Sequence, residues 1–79
     1  MIVGKLYKFI PSDDIVLYTS RLVSSKASKN RMLIGNEYII LLLEFRREDT
    51  LIDIKILWDG TVGWTTTISS DTFEMIEND

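Results

Sequence analysis

Between Thr19 and Ile34 the chain carries Arg21, Lys26, Lys29 and Arg31 with no acid among them. Cations clustered in this way along a loop can neutralise phosphates, and Tyr7 or Trp64 could then stack on bases. The overall charge argues the other way. Nine Lys and Arg stand against twelve Asp and Glu, a net charge of -3, far from the basic balance of a dedicated nucleic-acid binder. A solvated loop is therefore the simpler account of the cluster. Among the carboxylates, Glu37, Glu44 and Asp53 could meet for acid–base work, but their spacing does not single them out from ordinary surface charges. Asp13-Asp14 and Glu48-Asp49 lack the oxygen spacing of a calcium loop and read as turns. With no His and no Cys in the chain, there is no imidazole base, thiolate nucleophile or thiolate zinc site. The four glycines form no phosphate-binding loop. The expectation is a non-catalytic protein without cofactor or metal.

The elements that must position these residues follow from composition and period. The 79 residues allow one small domain, 46% apolar and 27% charged, which is globular rather than disordered composition. One Ala stands against eleven Ile, four Val and seven Thr, so β-branched residues far outnumber the best helix former and predict an all-β fold. Lys5 to Ile10 reads as a strand ending at Pro11. Ile15 to Val23 reads as a strand, with a capped helix as its competitor. Ser24 to Asn30 is small and polar and reads as a loop returning the chain to Met32–Ile34.

Glu37 to Arg47 is the strongest strand, and the two-residue period predicts Ile39, Leu41, Leu43 and Phe45 as its core face. The opposite face begins Tyr38, Ile40 and Leu42, so it too needs cover, more economically within the monomer than across a dimer. Ile52, Ile54, Ile56 and Trp58 alternate with Asp53 and Lys55, and Asp59-Gly60 then signals a two-residue type I′ hairpin. That turn sets a register of Trp58 opposite Thr61, Leu57 opposite Val62, Ile56 opposite Gly63 and Lys55 opposite Trp64. Leu57, Val62, Lys55 and Trp64 then share the outer face, with Lys55 and Trp64 placed for a cation–π pair. Gly63 is expected to let Ile56 pack closely. Ile68 to Asp71 reads as a turn into a last strand, Thr72 to Glu77.

The order of these elements resembles the Src-homology-3-like barrel. The resemblance lies in Lys5-Leu6-Tyr7, in IGNEYIILLLEF, in ILWDGTVGW as the distal hairpin and in ISSDTFEMI as the turn and last strand. It covers most of the chain and implies a small barrel of five to six antiparallel strands, residues 1–79 forming one domain. ILWDGTVGW also resembles a pattern of small uncharacterised bacteriophage barrels. Peptide-binding members of the Src-homology-3 family carry a Trp before the distal hairpin and a Pro-x-x-Tyr in the last turn. Here those places hold Asp53 and Thr66 to Ser70, and Tyr7 alone matches the aromatic groove, so proline-rich peptide binding is not expected.

The longest apolar run, Tyr38 to Leu43, is far short of the ~20 residues that span a bilayer, and the N-terminus lacks a secretory apolar region. A cytoplasmic protein is expected, in host cytoplasm if the phage resemblance holds. The preferred function is protein contact through Trp64, Leu57, Val62 and Lys55, with a phage or host partner or by self-association. The alternative is nucleic-acid binding through Arg21, Lys26, Lys29, Arg31 and Tyr7. The acids from Asp71 to Asp79 suggest phosphate mimicry in an inhibitor, against a frayed and solvated terminus.

Overall fold

A computed structural model describes residues 1–19 and 27–76, with the backbone alone for 27–30. Among these residues seven strands form one antiparallel sheet: β1 (Leu6–Ile10), β2 (Ile15–Tyr18), β3 (Ala27–Met32), β4 (Tyr38–Glu48), β5 (Leu51–Trp58), β6 (Thr61–Thr67) and β7 (Thr72–Met75). Their spatial order is β3-β2-β6-β5-β4-β1-β7. The all-β class stands as expected, as a curled half-barrel with seven strands rather than five or six.

The topology itself demands the curl. β6 and β7 are four places apart in the sheet, about 19 Å if it were flat at roughly 4.8 Å per strand. The chain between Thr67 and Thr72 could span at most about 17 Å at roughly 3.4 Å per residue, and it is folded into a turn in which Ile68 accepts from the Asp71 amide. The link from β1 to β2, residues 11–14, also crosses four places. Two short crossovers of this kind close only on a bent sheet. One side of the sheet is therefore concave and holds the core.

On that concave side Tyr7, Phe9, Leu17, Met32, Ile40, Leu42, Ile54 and Ile56 are buried. The expected core face of β4 is corrected here. Ile40 and Leu42 point inward, whereas Ile39 is 52% exposed and Leu41 lies on the outer face, only half-buried. Between Leu42 and Glu44 the ladder slips: Leu42 pairs with Ile56 and Glu44 with Lys55, leaving Leu43 as an extra residue in a β-bulge. Past the bulge Phe45 packs on the core, opposite Ile54. A regular period carried through the whole strand misses this shift, because a bulge adds one residue without changing partners.

Other expectations shift at element ends. The polar segment read as loop contains the start of β3, since Ala27 already pairs with Tyr18. The segment expected as a strand through Val23 ends at Tyr18, and 20–23 lie outside the described residues. The last strand stops at Met75. The Asp59-Gly60 hairpin has the predicted register throughout, and both turn residues have positive φ, 50° and 73°, as a type I′ turn requires. Gly63 has a different reason from the expected one. A Cβ there would lie 2.7 Å from Leu17 Cβ and 3.0 Å from the Tyr18 carbonyl oxygen, so its bare backbone admits β2 rather than Ile56.

Candidate convex contact face

Residues opposed across an antiparallel ladder point to the same side of the sheet. Leu6 opposes Leu41, Leu41 opposes Leu57, and Leu57 opposes Val62. These four side chains make one apolar row crossing β1, β4, β5 and β6 on the convex side. Leu6 and Leu57 each remain 37% exposed and Val62 51%. Ile39, on the next level of β4, widens the row toward Lys8.

The following level, toward the β4–β5 turn, runs Trp64, Lys55, Glu44, and the level after it Thr66, Asp53, Arg46. Trp64 is half-buried, opposite Tyr18 of β2. The expected group of Trp64, Leu57, Val62 and Lys55 thus shares one face. The sequence reading missed Leu6, Leu41 and Ile39 as its continuation. A regular two-residue period places Leu41 and Ile39 in the core, and the bulge is what puts them outside.

The basic cluster is distributed otherwise. Arg21 and Lys26 lie outside the described residues, as does the side chain of Lys29, while Arg31 is exposed on β3 opposite Val16. Arg31 and Tyr18 line a cleft of about 450 Å³ where β2 leaves β6. Tyr7 is a core residue. Its ring stacks on Phe73 at 4.5 Å and its hydroxyl accepts from the Ile2 amide at 2.6 Å, so it offers no surface ring to a base. The three carboxylates do not converge: Glu44 opposes Lys55, Asp53 opposes Arg46 and accepts from Thr66, and Glu37 lies 3.8 Å from Lys8.

Of the acids near the C-terminus, Glu77 and Asp79 fall outside the described residues, and Glu74 pairs with Lys8 at 3.3 Å. Asp71 clasps the two short crossovers together. One oxygen accepts from the Ser12 amide and hydroxyl, both at 2.7 Å. The other accepts from the Thr67 hydroxyl at 3.0 Å and the Ile68 amide at 2.9 Å. Burial pushes this carboxyl up, but the Ile68 amide, the Ser12 hydroxyl and amide and the Thr67 hydroxyl together outweigh it. They hold it below the ordinary carboxylate value. Sequence showed a turn here but not its clasp, because Ser12 and Asp71 are 59 positions apart.

No protein family, curated protein or solved structure matches this chain. The convex face therefore stands on its own geometry. No helix among the described residues is long and apolar enough to cross a membrane.

Proposed function

We propose that the protein is a non-catalytic contact module and that the convex face of β1, β4, β5 and β6 is its protein-binding surface. The observation that carries this reading is the Leu6–Leu41–Leu57–Val62 row. A strand face that met only water would alternate toward polar residues, and a contiguous apolar patch rimmed by charges is how contact sites present themselves. Trp64 adds a large half-buried ring next to the row, the residue type most often found as an interface anchor. The element order and the ILWDGTVGW hairpin support a Src-homology-3-like barrel of phage type as the frame, working in the cytoplasm of an infected cell.

The test replaces Leu57 with Asp on the convex side. The variant should keep the wild-type fold by circular dichroism and lose proteins that the wild type retains by cross-linking in an infected-cell lysate. Retention unchanged by Leu57→Asp sinks this site. Titration of labelled protein with a mixed-sequence oligonucleotide, at low and physiological salt, tests the alternative. Shifts centred on Arg31 that fade with salt would move nucleic-acid binding ahead of protein contact.

A further inference from the structure

Resting on that reading of the convex face, we infer that its occupant is a second copy of this chain, related by a two-fold axis parallel to the strands and midway between β4 and β5. The charges at the centre of the face carry this. Level with one another on the two central strands stand Lys55 and Glu44, then Asp53 and Arg46. The sign is opposite across the proposed axis at both levels and reverses from one level to the next.

A two-fold rotation about that axis lays each β5 residue over the partner's β4 residue at the same height. Lys55 then lies over the second copy's Glu44, Asp53 over its Arg46 and Leu57 over its Leu41, with Val62 and Leu6 flanking these pairs. An isologous interface must be self-complementary in this way. Had both central strands carried the same sign at one level, the rotation would have opposed like charges. The twist of each sheet and the convexity of the face carry the outer strands of the two copies apart, so the pairs nearest the axis dominate.

The size of the face sets the strength. Three spacings of about 4.8 Å across and three levels of about 7 Å along the strands give roughly 300 Å² in plan. A standard interface buries about 800 Å² per partner. A face this small makes a weak dimer, one that only high protein concentration populates.

The experiment is sedimentation equilibrium of the wild type to about 1 mM, with Lys55→Glu and Glu44→Lys measured separately and mixed. Each variant alone places like charges over one another and should self-associate at least about tenfold more weakly than the wild type. Mixed in equal amounts, the two variants, one acidic and one basic at the 44/55 level, should associate again. That rescue separates contact between copies from the pairing of Lys55 with Glu44 inside one chain, which mixing cannot restore. Thermal melts of each variant confirm that it is folded. A wild type monomeric at 1 mM, or a dimer indifferent to both substitutions, overturns the inference. Binding of a hydrophobic dye, measured on the same samples with Leu57→Asp as control, keeps the two readings apart. A monomer whose dye binding is lost in Leu57→Asp removes the second copy and leaves the contact face. A monomer that binds no dye removes both.

Discussion

On the concave side Leu42 meets Ile56, and neither keeps any exposed surface. One residue along each strand, on the convex side, Leu41 meets Leu57, and Leu57 keeps 37%. Backbone, partner strands and residue class are the same for the two pairs. What separates them is curvature, which folds the inner pair against Phe9, Leu17 and Ile54 and turns the outer pair away from that core. Apolar content in a strand thus reports that a face is used, and only the bend decides whether the chain uses it for itself.

The sharpest way to break this comparison is to cut into each face separately. Ile54→Ala, inside, should cost about 2–5 kcal/mol in urea denaturation, from lost transfer energy and the cavity left behind. A loss below 1 kcal/mol would mean that the concave side is not the packed one. Gly63→Ala tests how the curl is held, because its new Cβ would press on Leu17 and the Tyr18 carbonyl. Destabilisation of about 1–3 kcal/mol is expected from this overpacking, and hydrogen exchange should rise first in β2. Unchanged protection in β2 would place the close approach elsewhere.

Asp71→Asn removes the charge that clasps the two crossovers and should cost on the order of 1 kcal/mol. Its pH dependence has a fixed sign. The folded carboxyl lies below its ordinary value of 3.8, so its stabilisation is complete above the unfolded value. It is lost as pH falls below about 4 toward the folded one. Wild-type melting temperature should drop over that window more steeply than that of Asp71→Asn, and parallel curves would refute the clasp. The smallest effect on folding belongs to the convex side. Leu57→Thr should stay within about 0.5 kcal/mol in the same urea experiment while weakening self-association. A cost near that of Ile54→Ala would show the outer row to be core.

Much of this was legible in the residues. The excess of Ile, Val and Thr over Ala marked the all-β fold, and Asp59-Gly60 set the β5–β6 register residue by residue. From that register came Leu57, Val62, Lys55 and Trp64 as one face. Two things were hidden. The bulge at Leu43 leaves no mark in a run of six apolar residues, where either phase reads as core, so Ile39 and Leu41 were placed on the wrong side. The clasp of Asp71 on Ser12 joins the two crossovers, which local pattern does not connect. The start of β3 at Ala27 was missed because a polar edge strand and a loop share a composition.

The extra residue at position 43 also says how this strand tolerates changes in length. Loss of Leu43 would leave Leu42 opposite Ile56 and Glu44 opposite Lys55, every later side chain keeping its side, whereas loss of any single residue from 38 to 42 would turn part of the strand over. A chain one residue shorter at this point would keep the polarity of both faces and lose local bend, since bulges sharpen the twist of the strand that carries them. The residue count of β4 therefore sets the shape of the sheet independently of its chemistry.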